Sequence, residues 1–191
     1  MSIETRKQQE RRDRYQRIVA TARGLAESEG WDAVTTRRLA DLIDYSQPVL
    51  YSHFAAGKRD IMRAVALEGF AELAEALHQA RSRARGARPA LRRLCAAYLD
   101  FAATAPALYE AMFILPVDLE FATENTPAAL RAAFAEFLAV LEPFAEPTEL
   151  QAEILWSTLH GMAVLSRAGR IPAASRDQRL DLLVEGIAGV P

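Results

Sequence analysis

The chain has 191 residues, 51% of them hydrophobic, and a net charge of −2. This composition supplies apolar side chains for a sizeable core and excludes a wholly disordered chain. No stretch reaches the roughly 20 apolar residues of a membrane-spanning helix, so no membrane partner is expected. One cysteine cannot form an internal disulfide, which is typical of a cytoplasmic protein, and three scattered histidines suggest no metal site.

The charge is distributed unevenly along the chain. Residues 1–60 contain eleven basic and nine acidic side chains, whereas residues 61–191 contain twelve and sixteen. Six of the basic side chains fall between Arg6 and Arg17, with no apolar segment behind them such as a secretory signal requires. This N-terminal arm is either a frayed polar tail or a source of extra contacts to phosphates or the minor groove of DNA.

Helices are predicted along almost the whole chain, because apolar residues recur three and four positions apart. Gly30 is expected to C-cap the first helix, and prolines separate several of the others. Cys95 falls within an apolar stripe and is expected in the core. The four clearest stripes are Ile18, Ala22, Leu25 and Ala26; Leu91, Leu94, Cys95, Tyr98, Leu99 and Ala102; Leu130, Phe134, Phe137, Leu138 and Leu141; and Leu180, Leu183, Val184 and Ile187. We predict an all-α fold of about nine helices.

Two short helices joined by a tight turn are predicted between Thr35 and Phe54. A hydroxyl at Thr35 or Thr36 can cap the first helix, and Ser46 can cap the second. Between them Asp44 can adopt the left-handed backbone that a tight turn needs. The buried face of the first helix would consist of Leu39, Ala40 and Ile43. This pattern is the plan of a helix-turn-helix, whose second helix enters the major groove of DNA.

The segment from Ile18 to about Leu67 resembles the DNA-binding domain of the TetR family of bacterial transcriptional regulators. The string Ser46-Gln-Pro-Val-Leu-Tyr-Ser-His-Phe54 is highly specific in this context. The other residues that carry the resemblance are Ala22, Leu25, Gly30, Thr35-Thr36, Leu39-Ala40, Lys58 and Ile61. The chain departs from the family in having Asp44 where glycine is usual, and one extra residue between Phe54 and Lys58.

The resemblance implies which side chains contact DNA. Gln47, Pro48 and Val49 would face the groove, where a glutamine can pair with adenine and apolar side chains can contact a thymine methyl group. Thr36, Tyr51 and Lys58 would contact phosphates. Because of the extra residue before Lys58, Arg59 could replace it. His53 either contacts DNA or supports the hinge, so the full candidate set is Thr36, Gln47, Pro48, Val49, Tyr51, His53 and Lys58.

A larger helical domain for effector binding and dimerisation is predicted over residues 61–191, behind a helix-turn-helix domain of residues 1–60. The segment from Trp156 to His160-Gly161 resembles the Trp…His-Gly element of one group of TetR-type C-terminal domains. In this family the last two long helices form a four-helix bundle with a second copy of the chain. The resemblance therefore implies a homodimer and a palindromic operator in double-stranded DNA.

The last two helices are expected over about 147–167 and 176–188. Leu183 and Val184 lie on the apolar face of the final helix, and part of that face would be covered by the second copy.

An apolar pocket for a small-molecule effector is implied among the central helices, although such aromatic stripes are more often plain core. Its candidate residues are Tyr98, Tyr109, Met112, Phe113, Phe137, Trp156 and His160. We therefore expect a repressor that its ligand releases from DNA. The alternatives are a DNA-binding regulator without a ligand and an enzyme. The sequence has no phosphate-binding loop, zinc motif or triad-like set, so neither catalysis nor a cofactor is expected.

Overall fold

A computed structural model describes residues 3–144 and 149–189 of the chain, and over these ranges it contains nine α-helices and no strand. The all-α prediction is confirmed. The helices are α1 (Ile3–Glu29), α2 (Thr36–Ile43), α3 (Gln47–His53), α4 (Lys58–Ser82), α5 (Ala87–Thr104), α6 (Pro106–Phe113), α7 (Ala128–Leu141), α8 (Glu149–Arg167) and α9 (Arg176–Ala188). None of the described helices is both long and apolar enough to cross a membrane.

The N-terminal arm is part of α1, which starts at Ile3 and runs without interruption to Glu29. The interpretation of the arm as a frayed tail was therefore wrong. Exposed pairs one helical turn apart support this segment, such as Arg6 with Glu10 at 3.0 Å. Gly30 ends the helix as predicted, with φ of +82° and its N–H donating to the carbonyl of Ala26 at 2.8 Å.

The chain divides into two compact units. The first consists of residues up to Gly69 together with Ala105–Leu119, and the second of Phe70–Thr104 and the residues from Glu120 onward. The helix-turn-helix domain predicted for residues 1–60 lies in the first unit, which also contains the start of α4 and all of α6. The start predicted for the eighth helix, residues 147–148, lies outside the described residues.

In the first unit, two side chains bind the start of α6: Glu27, near the end of α1, and Trp31, just after that helix ends. The carboxylate of Glu27 accepts hydrogen bonds from the N–H groups of Ala107 and Leu108 at 3.1 and 2.9 Å. These N–H groups have no partner within the helix, and a carboxylate also suits the positive end of the helix dipole. The indole of Trp31 donates to the carbonyl of Ala107 at 2.8 Å.

Helix α6 also crosses α4 closely at Gly69. A Cβ atom at this position would lie 2.6 Å from the sulfur of Met112 and 2.7 Å from a methyl carbon of Leu108. Only a residue without a side chain fits there unless these two side chains shift.

The second unit is built from the remainder of α4 and from α5, α7, α8 and α9. Most of its predicted stripe residues are buried; Phe134, Leu138, Leu183 and Ile187 are half-buried. Ion pairs join α5 to α9, with Arg92 and Asp181 at 2.6 Å and Arg176 and Asp100 at 2.7 Å. The core assignment of Cys95 is confirmed, because its thiol is fully buried and burial raises its pKa to about 12.

The apolar face of α9 differs from the one predicted for contact with a second copy. Val184 is buried inside the chain with 2% of its surface exposed, and Leu183 is half-buried. The exposed side chain is that of Leu182, at 71%. Neighbouring positions on a helix point about 100° apart, so the residue before an inward pair can point outward.

Candidate nucleic-acid interface

Helices α2 and α3 form the predicted helix-turn-helix. The hydroxyl of Thr35 caps α2 by accepting from the N–H of Arg38 at 3.1 Å, and Asp44 adopts the left-handed conformation with φ of 55°. Ser46 is the N-cap residue of α3, but its hydroxyl makes no capping hydrogen bond, contrary to the prediction. Pro48 has no N–H to offer, and the N–H of Val49 donates instead to the backbone carbonyl of Ser46 at 3.0 Å.

Helix α3 turns its first residues outward. Leu50 and Phe54 are buried and anchor the helix in the first unit, with 0% and 3% of their surfaces exposed. Gln47 and Pro48 are exposed, and Val49 is half-buried. The N-terminal end of α3 therefore presents one amide and a small apolar surface, the groups that can read base edges and thymine methyl groups.

Two hydroxyl groups predicted to contact phosphate lie together at one side of α3. The oxygens of Thr36 and Tyr51 are 3.4 Å apart, and 47% of the Tyr51 surface is exposed. Gly57, with φ of +61°, packs beneath them, since a Cβ there would be 3.4 Å from both side chains. The structure thus brings together two residues that are fifteen positions apart in the sequence.

Lys58 does not point away from the protein. Its side chain is half-buried and its ammonium group donates to the carbonyl of Trp31 at 2.5 Å. The next residue, Arg59, is exposed and lies 3.5 Å from the carboxylate of Asp118. An exposed pair of this kind is weak, so Arg59 is more easily available than Lys58 to an incoming phosphate.

His53 is the last residue of α3 and lies near α1. Its ring centroid is 6.3 Å from that of Phe54, which in turn stacks on Tyr15 at 5.0 Å. Burial lowers the pKa of His53, and the positive charges of Arg11 and Arg14 lower it further.

Sequence reasoning treated the N-terminal arm only as a group of charges and did not single out these two arginines. A signal was available: Arg11 and Arg14 fall seven and four residues before Ile18, on the side of α1 that carries the buried stripe.

The residues predicted for the effector pocket fall in two places. Tyr98, Phe137, Trp156 and His160 belong to the second unit, and Tyr109, Met112 and Phe113 belong to α6 in the first. In the second unit the indole N–H of Trp156 donates to the hydroxyl of Tyr98 at 3.1 Å. The Tyr98 ring meets Phe137 edge-on at 5.8 Å. His160 is half-buried, and burial lowers its pKa.

Two family profiles match the chain. "Bacterial regulatory proteins, tetR family" matches residues 18–65, and "Tetracyclin repressor-like, C-terminal domain" matches residues 91–187. An uncharacterized HTH-type transcriptional regulator of Mycobacterium tuberculosis is 30% identical over 158 residues, which cover 80% of this chain and 69% of that protein.

Solved structures share the fold. A protein of unknown function from Rhodococcus sp. RHA1 has a TM-score of 0.75 at 23% identity, covering 92% of this chain and 93% of its own. The TetR family regulator PfmR of Thermus thermophilus has a TM-score of 0.63 at 21% identity, with 90% and 94% covered. A TetR variant from Acinetobacter baumannii, in complex with minocycline, has a TM-score of 0.56 at 18% identity, with 90% and 92% covered. With these matches to both its parts, the chain belongs to the TetR family and is a DNA-binding transcriptional regulator, not an enzyme.

Proposed function

We propose that the protein is a homodimeric repressor that binds an inverted repeat in double-stranded DNA and is released from it by a small molecule. One observation supports DNA binding: the outward-facing start of α3 lies beside the paired hydroxyls of Thr36 and Tyr51. In this arrangement Gln47 meets base edges while the hydroxyls hold a phosphate and fix the position of the helix. Selection of duplexes from a random library by the purified protein tests it. An enriched inverted repeat is expected, and its absence would contradict the proposal.

Gln47→Ala is expected to relax the choice of base at one position of each half-site. The loss against the preferred base should be about 1–3 kcal/mol, the range for one good two-point contact with a base. Titrations with the selected duplex and its single-base variants measure it.

Tyr51→Phe is the matched comparison, because it removes one hydroxyl from the same helix. It should weaken all duplexes similarly, since a phosphate carries no sequence information. If Gln47→Ala instead lowers every affinity equally, Gln47 does not read a base.

The homodimer is proposed from an apolar stripe on the outward side of α8. Leu150, Ile154 and Leu165 are exposed to 67%, 66% and 45%. Together with Gly161 they recur four and seven positions apart, which places them along one side of the helix. A Cβ placed on Gly161 would meet nothing within 4 Å, so no part of the described chain covers this position. Leu182 adds an exposed apolar side chain on α9. A second copy packed against this stripe would bury it around a two-fold axis, with the glycine allowing close approach.

The ligand is proposed to bind within the second unit, near the Tyr98–Trp156 pair. There a hydroxyl and an indole lie among buried apolar side chains, the mixture that small-molecule sites use to hold and orient a ligand. The compound would be largely apolar with one or two polar groups. Minocycline, bound in the structural relative from Acinetobacter, and anilinonaphthalene sulfonate are suitable first probes.

A compound that binds there should lower operator affinity by about 5–150-fold, and operator DNA should weaken its binding by the same factor, because coupling between two sites is reciprocal. The experiment measures the affinity for the compound with and without the selected duplex, using Trp156 fluorescence and Trp156→Phe as the control. If every compound that binds has the same affinity with and without the duplex, the result would favour the alternative, a DNA-binding regulator without an effector.

A further inference from the structure

A cleft of about 350 Å³ opens on the surface of the first unit between α1 and α3. Arg11 and Arg14 line it from α1, and Val49, Ser52 and His53 line it from α3. The two helices are fixed against each other beside it, because Tyr15 of α1 stacks on Phe54 of α3.

The cleft is built for an anion. None of the described residues that line it is acidic, while two guanidinium groups and an imidazole supply hydrogen-bond donors. The Ser52 hydroxyl donates to the backbone carbonyl of Val49 at 2.7 Å. Among the described residues, the Nε atom of Arg14 is the one buried side-chain nitrogen or oxygen that has no hydrogen-bond partner. Buried donors are nearly always paired, so this atom indicates a missing acceptor. Burial lowers the pKa of His53, and the nearby positive charges of Arg11 and Arg14 lower it further, which agrees with a gathering of positive charge at the cleft.

The position of the cleft indicates which anion it takes. Tyr51 and His53 are two residues apart on α3, which places them about 200° apart around the helix axis. The hydroxyl pair of Thr36 and Tyr51 therefore lies along one side of α3, and the cleft lies along the other. A helix in the major groove has one phosphate backbone on each side of it.

We propose that the cleft formed by Arg11, Arg14, Ser52 and His53 binds a backbone phosphate of one DNA strand, while Thr36 and Tyr51 hold a phosphate of the other. This inference rests on the proposed docking of α3 in the major groove. The helical N-terminal arm then has a definite role, because it completes a phosphate site that α3 cannot form alone. It also extends contact with the operator from the base-reading end of α3 to both sides of the groove.

Salt dependence of operator binding tests the site. The duplex selected by the unmodified protein is titrated at several salt concentrations with Arg14→Gln, Arg11→Gln and the control Arg12→Gln. Arg12 is exposed on the same segment of α1 but does not line the cleft. Each lost phosphate contact should reduce the slope of log affinity against log salt by about 0.9 per chain. We expect this reduction in the two cleft variants and a clearly smaller one in Arg12→Gln.

Neutral methylphosphonate links, placed one at a time along each strand of the same duplex, locate the contact. The unmodified protein should lose affinity at one link on each strand of a half-site. Arg14→Gln should become less sensitive to the link on one strand, and Tyr51→Phe less sensitive to the link on the other. Arg11→Gln serves as a second cleft variant, because Arg11 is exposed and its replacement leaves the packing of α1 intact.

Equal salt slopes for the cleft variants and Arg12→Gln, or sensitivity to links on one strand only, would overturn the cleft while leaving operator binding established. Failure to select any duplex would overturn the proposed function and the cleft with it.

Discussion

Ile154→Glu should convert the protein into a monomer that no longer holds its operator. Ile154 belongs to the exposed stripe on α8, with 66% of its surface open to solvent in the single chain. The substitution therefore leaves the folded chain intact. In a dimer it would place two carboxylates near each other at an apolar contact, where burial of an unpaired charge is strongly unfavourable. Loss of the second half-site should lower operator affinity by about 10²–10⁴-fold, the gain that linked binding provides.

Light scattering measures the oligomeric state, and titration of the selected duplex measures the affinity. Ala132→Glu is the matched control: it adds the same charge at an exposed position of α7 outside the stripe, and it should stay dimeric. Gly161→Leu tests close approach without a charge, because a Cβ atom at this position has open space in the single chain, whereas a leucine side chain would have none in a tightly packed interface. If Ile154→Glu remains dimeric and binds its operator normally, the stripe on α8 is not the dimer interface.

The parts of this structure that were predictable depend on neighbours in the sequence. A hydroxyl capping an N–H three residues on, as at Thr35, and an aspartate in a left-handed turn, as at Asp44, are local events that leave local signals. Helical periodicity likewise revealed the core residues of both units. Local competition also matters here. The Ser46 hydroxyl makes no capping hydrogen bond, because Pro48, two residues on, lacks an N–H and the N–H of Val49 donates to the Ser46 carbonyl.

The contacts that were not predictable join distant segments. Glu27 holds the start of α6 across 80 residues, and Trp31 reaches the same turn across 76. Nothing in the position of Glu27 or Trp31 along the sequence identifies the residue that it contacts. The direction of Lys58 depends in the same way on a carbonyl 27 residues earlier. On α9, periodicity gave the correct helix but not the outward residue, because one stripe can face either the chain's own core or a second copy.

The candidate site likewise has features that the sequence predicts and features that depend on packing. The turn, the caps and the exposed start of α3 follow from a short and specific string of sequence. The pairing of Thr36 with Tyr51 and the cleft between α1 and α3 depend on how separate helices pack. Arg14 shows the difference clearly. Its spacing from Ile18 places it on the inner side of α1, but only the packed structure brings its guanidinium beside His53.

Trp31→Ala should cause one of the largest losses of stability that a single substitution can produce in the first unit. Trp31 is 6% exposed, and its indole N–H donates to the Ala107 carbonyl at 2.8 Å. Removing a buried aromatic ring leaves a cavity, and such truncations lower the free energy of unfolding by about 3–5 kcal/mol. Trp31→Phe keeps most of the ring but leaves the Ala107 carbonyl without its donor, for an expected loss of about 1–3 kcal/mol.

Urea unfolding at fixed protein concentration measures both losses. Trp156→Ala is the control: this tryptophan also donates through its indole, but it is only half-buried and lies in the second unit, so its loss should be smaller than that of Trp31→Ala. The bond from Lys58 goes to the backbone carbonyl of Trp31 and remains available in every variant, so it does not contribute to the differences. Because neither Trp31 variant alters α3, the folded protein should keep its preference among base variants of the operator. Equal losses for Trp31→Ala and Trp156→Ala would show that Trp31 does not hold α6 in the first unit.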